Sequence, residues 1–134
     1  MLKIKRERIM CPCGSGKKYP QCCALYHGGS FPETAEQLMR SRYCAFVKHD
    51  VEYLLRTQHK DLASANDRQE ILDTFQDCQW LELKVLDSKK GAKGDIEGSV
   101  EFLATYANEG QVFEHRENSR FKKVGPQWFY HSIV

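Results

Sequence analysis

The chain has 134 residues, enough for one compact domain with a small appendage, and 41% of them are hydrophobic, enough to bury a core. Both charge signs are mixed along it and sum to a net +2, which excludes a disordered, highly charged chain. Charges interrupt every apolar run well short of the roughly 18 residues that a membrane span needs, so membrane insertion is excluded too.

The first segment, MLKIKRERIM, is basic but has no apolar stretch behind it, unlike a secretory signal, and the expected compartment is the cytoplasm. Thiols stay reduced there, so clustered cysteines read as metal ligands rather than disulfides. Cys11, Cys13, Cys22 and Cys23 all fall within CPCGSGKKYPQCC. The members of each pair are too close in sequence for unstrained bridges. Their spacing suits four thiolates around one structural Zn²⁺, a closed site with no open position for catalysis at the metal. Pro12 stiffens the first pair, and Gly14 and Gly16 free the backbone just after it. Cys22 and Cys23 can face one ion only if the chain bends between them, which leaves His27 as the one close substitute for Cys23. GSGKK is not a phosphate loop, because the spacing is wrong and cysteines flank it. Lys3, Lys5, Arg6, Arg8, Lys17 and Lys18 stand against Glu7 alone in this head, which favours an anionic partner, either an acidic protein surface or RNA.

Gly28, Gly29, Ser30 and Pro32 make a linker. Thr34, with Gln37 three residues on, opens a first helix that buries Met39, Tyr43, Phe46 and Val47. Asp50 caps a second, short helix carrying Val51, Leu54 and Leu55, with Glu52 in its first turn. A third starts near Asp67 and buries Ile71, Leu72 and Phe75. After Trp80 the period becomes 2, and Leu81, Leu83 and Val85 alternate with Glu82 and Lys84 in a strand. SKKGAKGD turns the chain into a long strand with Ile96, Val100, Phe102, Ala104 and Tyr106 on one face. NEG and GP then make hairpins into residues 112–123 and QWFYHSIV. Pairing Asn108 with Gln111 sets 106 against 113, 102 against 117 and 98 against 121. That register leaves His115, Glu117 and Ser119 inward, between Phe113 and Phe121.

Residues 11–23 resemble the SEC-C motif, the zinc-binding tail module named for the C-terminus of a preprotein translocase ATPase. Three helices followed by a curved four-stranded antiparallel sheet are α+β and resemble the nuclear-transport-factor-2-like (NTF2-like, cystatin-like) cone. LMRSRYCAF, ENSRF and QWFY, with the zinc motif in front, look like the bacterial YchJ family over nearly the whole chain. The resemblance implies a head at 1–27, a linker at 28–33 and a cone at 34–134 with no defined ligand. The association of SEC-C modules with an acidic chaperone and with the ribosome implies a docking role. Residues 1–27 are too short for a core of their own, so chelation is expected to unfold the head and spare the cone.

In a cone pocket, His115 and Glu117 could act as an acid–base pair of isomerase or hydratase type, with Ser119, Arg40, Arg42, Tyr43, Tyr53 and Trp128 lining the space. The alternative is a satisfied core network with Glu117 accepting from Arg42 or Tyr43, and this reading is preferred because structural networks also bury charge. The first hypothesis is therefore a non-enzymatic docking protein, the second an enzyme and the third an RNA or ribosome binder. Cys44 reads as a small buried hydrophobe, Cys78 lacks a basic neighbour, and His49 and His59 sit near helix ends without a special role.

Overall fold

The computed structural model describes residues 10–134, so Lys3, Lys5, Arg6 and Arg8 lie outside the described residues. Within it a 3-10 turn at Tyr19–Gln21 leads into α1 (Cys23–His27), followed by α2 (Ala35–Lys48) and α3 (Val51–Arg56). A second 3-10 turn at Lys60–Leu62 precedes α4 (Asp67–Asp77), and four strands complete the fold: β1 (Gln79–Lys90), β2 (Glu97–Asn108), β3 (Gln111–Val124) and β4 (Gln127–Ile133). The strands form one antiparallel sheet in the order β1-β2-β3-β4.

The helix starts follow local chemistry. Thr34 Oγ1 accepts from the Gln37 backbone N–H at 3.1 Å, and Gln37 Oε1 reaches back to the Glu33 N–H at 2.8 Å, one residue before the cap. Asp50 accepts from the Tyr53 N–H and starts α3. At α4 the cap position is Asn66, which makes no side-chain cap bond; the Asp67 carboxylate instead accepts from Ser64 N–H and Gln58 Nε2.

The β2–β3 hairpin has the register read from sequence, with Asn108 opposite Gln111, Tyr106 opposite Phe113, Phe102 opposite Glu117 and Gly98 opposite Phe121. The main core lies between α2 and the sheet, where Leu38, Met39, Tyr43, Leu83, Val100, Phe121 and Trp128 are buried. Gly91 and Gly98 let the β1–β2 turn approach the start of α2: a Cβ on Gly91 would sit 2.7 Å from that of Ala35, whose N–H donates to Gly91 O.

Four residues expected on inner faces are exposed instead, one of them Phe113 near the turn of the β2–β3 hairpin. Leu81 is the extra residue of a bulge between Trp80 and Glu82, so the alternation slips and its side chain turns outward. Ile96 precedes β2, in the turn, and Leu72 lies on the outer side of α4.

The head is not free-standing. Arg40 Nη1 donates to Cys13 O at 2.6 Å, His27 Nε2 donates to Ser41 O at 2.9 Å, and Arg56 Nη2 donates to the carbonyls of Tyr26 and His27. Gly14, at φ +79°, comes so close to β1 that a Cβ would meet Leu83 O at 3.2 Å. The expectation of a separable head is revised accordingly, because a segment too short to make a core has used the cone as its second wall.

Candidate functional site

The first site is the thiol cluster. Cys11 N–H donates to Lys17 O, and Met10 bridges Lys18, so the loop closes as a small hairpin around Cys13. Gly14 and Gly16 both take positive φ there, which any other residue would adopt only under strain. The 3-10 turn and the start of α1 then bring Cys22 and Cys23 against the first pair. One sulfur from each of Cys11, Cys13, Cys22 and Cys23 lies within 4.8 Å of the other three. Cys13 and Cys22 sulfurs are 3.6 Å apart and those of Cys22 and Cys23 are 4.0 Å apart. These separations bracket the edge of about 3.8 Å in a tetrahedron with metal–sulfur bonds near 2.3 Å. The donor set and its spacing therefore fit one metal ion.

His27 does not belong to this set. Its Nδ1 accepts from Tyr19 Oη–H at 2.9 Å while its Nε2 is bonded to Ser41 O, so both ring nitrogens are engaged in holding the knuckle to α2. Burial pushes the Tyr19 hydroxyl up to about 12, which keeps it a donor. Ser15 Oγ lies 3.1 Å from Cys22 Sγ and steadies the most exposed of the four thiols. Cys44 is fully buried, with its sulfur 3.9 Å from that of Cys11. It is thus a fifth thiol behind the cluster rather than an isolated apolar filler. Hydrogen bonds from Cys13 and then Cys23 hold the Cys11 thiol down at about 6, whereas Cys23 is pushed up, first by its bond to Cys11.

The second site is a cavity of about 360 Å³ between α2, α4 and the concave side of the sheet. Met39, Phe46, Phe102 and Tyr106 supply apolar wall, and Arg42, Tyr43, His115, Glu117 and Ser119 all reach it. Arg40, Tyr53 and Trp128 do not. Arg40 faces the knuckle, and Tyr53 packs against His27 with its hydroxyl 2.6 Å from Ser41 Oγ. Trp128 is fully buried and donates to Glu33 O at 3.0 Å.

Inside the cavity Glu117 accepts from Ser119 Oγ at 2.5 Å, His115 Nε2 at 2.9 Å and Tyr130 Oη at 3.2 Å. It does not accept from Arg42 or Tyr43. Arg42 Nη1 instead donates to Leu54 O and Thr57 Oγ1, tying α3 to α2, while its guanidinium lies 4.9 Å from the centre of the Tyr130 ring. Burial brings Arg42 down to about 10, still a cation at neutral pH, and it forms no ion pair among the described residues. Burial, and then the Glu117 charge, push Tyr130 up to about 12. His115 stands at the mouth with 45% of its side chain exposed, so the inward face grades from buried at Ser119 to solvent at His115.

Tyr130 and Trp80 are cavity residues that sequence reasoning did not find. Each follows or precedes a register slip, between Arg120 and Phe121 and between Trp80 and Glu82, and simple alternation carries no sign of either slip. Trp80 Nε1 is buried with no hydrogen-bond partner among the described residues.

Comparison with known proteins places both sites in a family frame. A profile described as "YchJ, middle NTF2-like domain" matches residues 34–132, and one for the SEC-C motif matches residues 10–25. A UPF0225 protein of Serratia proteamaculans is 42% identical over 124 residues, covering 90% of this chain and 80% of that one. One from Streptomyces coelicolor is 42% identical over 121 residues, with 90% of each chain covered. Among solved structures, a SEC-C motif containing protein from Rhodopseudomonas palustris superposes with a TM-score of 0.81 at 33% identity, covering 92% of this chain and 96% of the other. Another, from Psychrobacter arcticus, gives 0.75 at 27% identity, covering 91% and 80%. With its thiol knuckle in front and its helices closed over a four-stranded sheet, this chain belongs to the YchJ family: a SEC-C motif joined to an NTF2-like domain.

Proposed function

We propose that the protein is a non-enzymatic binding protein, in which one structural Zn²⁺ fixes the knuckle and the cone takes up a small, largely apolar molecule. The observation that carries this reading is the cavity itself. It is large enough for a ligand and is walled mainly by aromatic and aliphatic side chains. Binding is favoured over isomerase or hydratase chemistry because Glu117 is already engaged by three donors of its own fold. The test uses anilinonaphthalene sulfonate as a probe of the wild type and of Ala104→Leu, which fills the cavity from its wall. Enhanced fluorescence at one site per chain, weakened about tenfold or more in the variant, is expected; equal binding by both proteins rejects the reading.

A second reading, docking on an acidic protein through the knuckle, is supported by Lys17 and Lys18. Both are exposed on the turn between the ligand pairs, and neither makes an ion pair among the described residues. Exposed Met10 and Leu25 lie on the same small module and add apolar surface. An affinity pull-down from cytoplasmic extract at two salt concentrations, with Lys17→Glu/Lys18→Glu as the control, distinguishes the outcomes. Salt-sensitive capture of an acidic protein by the wild type alone is expected. Capture of RNA or ribosomes instead would favour the nucleic-acid alternative, and identical capture by both proteins would reject charge-based docking.

A further inference from the structure

A second cluster of ligand-type side chains lies away from both the knuckle and the cavity, where the turn after α3 meets β4. The backbone builds it. His59 N–H donates to Tyr130 O at 2.8 Å and Tyr130 N–H donates to Thr57 O at 2.9 Å, so residues 57–59 run alongside β4 as a short parallel pairing. Opposite them, β4 carries one extra residue: Tyr130 pairs with Phe121 and Ser132 with Arg120, which leaves His131 as the bulge. A bulge of this kind re-aims a side chain, and here it turns His131 toward His59, with ring centres 5.0 Å apart. The 3-10 turn that begins at Lys60 then folds Asp61 back over both rings.

Asp61 Oδ2 is 3.4 Å from His59 Nδ1 and 3.4 Å from His131 Nε2, and the three ligand atoms all lie within 4.8 Å of one another. At 3.4 Å these pairs are too long for good hydrogen bonds, which fall at about 2.7–3.2 Å. They match the edge of a tetrahedron around a metal with nitrogen and oxygen ligands, about 3.3–3.4 Å for bonds of roughly 2.0–2.1 Å. The supporting contacts prepare the nitrogens as well. His131 Nδ1 is 2.9 Å from Ser132 Oγ, and donating there leaves Nε2 with its lone pair toward Asp61. His59 Nδ1 accepts from the Asp61 backbone N–H at 3.1 Å, so it too is the unprotonated nitrogen, and a metal there would displace that cap hydrogen bond. His59 is buried, with its ring edge-on to Phe129, and is therefore held in place before any ion arrives.

The geometry points to a second metal site, His59–Asp61–His131, that takes a borderline divalent cation such as Zn²⁺ in tetrahedral coordination. Two imidazoles and one carboxylate select zinc, cobalt or nickel over magnesium or calcium, which prefer all-oxygen shells. With three protein ligands, the fourth position belongs to water or to an exogenous anion, in contrast to the closed thiol cluster. Nothing in this assignment depends on what the cavity or the knuckle binds.

Cobalt(II) separates the two sites by spectroscopy. Bound at thiolates it gives sulfur-to-metal charge-transfer bands in the near ultraviolet; bound at His59–Asp61–His131 it gives visible d–d bands only. Metal-free full-length protein is titrated under reducing conditions, and zinc stoichiometry is read in parallel by native mass spectrometry. Two equivalents per chain are expected for the wild type, the second adding visible intensity without charge transfer. Asp61→Asn, at an exposed position that leaves both histidines in place, should weaken the second equivalent about tenfold or more, and His131→Ala should abolish it; neither should touch the first. A single equivalent in the wild type, or a second that persists in both variants with unchanged affinity, overturns the site. Far-UV circular dichroism of each variant verifies that the fold is retained.

Discussion

The two long faces of α2 are built on opposite principles. Toward the knuckle, Arg40 and the adjacent Ser41 are followed by Cys44 and Lys48 at helical spacing, and what they make are directed contacts. Arg40 bonds a backbone carbonyl, Ser41 receives a histidine N–H, Cys44 backs a cysteine sulfur, and the Lys48 ammonium sits 4.0 Å from the centre of the Tyr19 ring. Toward the sheet, Met39, Tyr43 and Phe46 repeat with the same helical period and make undirected apolar contact, with Tyr43 and Phe46 both edge-on to Trp80. An apolar face tolerates small displacements of its partner. A face made of single hydrogen bonds to carbonyls works only while the partner backbone keeps its shape, and in the knuckle that shape would depend on the proposed ion.

The largest effect should therefore come from removing the metal. Chelation, or Cys13→Ser, releases the carbonyl that Arg40 holds and the rings that His27 bridges, so the cone loses stability along with the head. A metal site can contribute about 10–16 kcal/mol in an isolated zinc-finger peptide. Even a few kcal/mol transmitted to α2 would lower the melting temperature by roughly 10 °C, at about 2–8 °C per kcal/mol for domains near this size. Differential scanning calorimetry with and without chelator measures it; an unmoved main transition would mean that the two faces of α2 are independent after all.

On the cavity side, Glu117→Gln replaces one of two acceptor oxygens by an NH₂ donor, so at least one of the bonds from Ser119, Tyr130 and His115 is lost or must reverse. A loss of about 1–3 kcal/mol is expected by urea denaturation. A variant more stable than the wild type would instead point to a strained functional carboxylate. His115→Ala should be far milder, within about 0.5 kcal/mol, because nearly half of that side chain is in water. The smallest change in stability belongs to Lys17→Glu/Lys18→Glu, both on the solvent side of the knuckle. Its melting temperature should match the wild type while association with an acidic partner slows, most visibly at low salt in stopped-flow or surface-binding kinetics.

Legibility differs between the same regions. The thiol ligand spacing could be read directly, since four cysteines in thirteen positions allow few other readings, and the hairpin register followed from matching apolar faces. The knuckle's attachment to α2 was not legible, because Arg40–Cys13 O and His27–Ser41 O use backbone acceptors that every residue carries. Cavity membership failed for Arg40 for the same reason. Tyr53 and Trp128 were misplaced because an aromatic residue in a helical or alternating pattern shows only that it is buried, not on which side of the core. Tyr130 and His131 were missed because their directions depend on a bulge, a slip of one residue that has no composition of its own.

The hydrogen bond from Trp128 Nε1 to Glu33 O joins residues 95 apart in the sequence, whereas all four clustered thiols fall within thirteen. During synthesis the two would therefore be completed at very different times. The knuckle could capture the proposed ion as soon as Cys23 has left the ribosome, by closing only short loops. The indole that seals the start of α2 belongs to the last strand, so until β4 emerges the apolar side of that helix has no lid over Leu38 and Val100. A growing chain would thus carry a finished thiol knuckle ahead of an open core, and the interval between them is when it would be most open to aggregation.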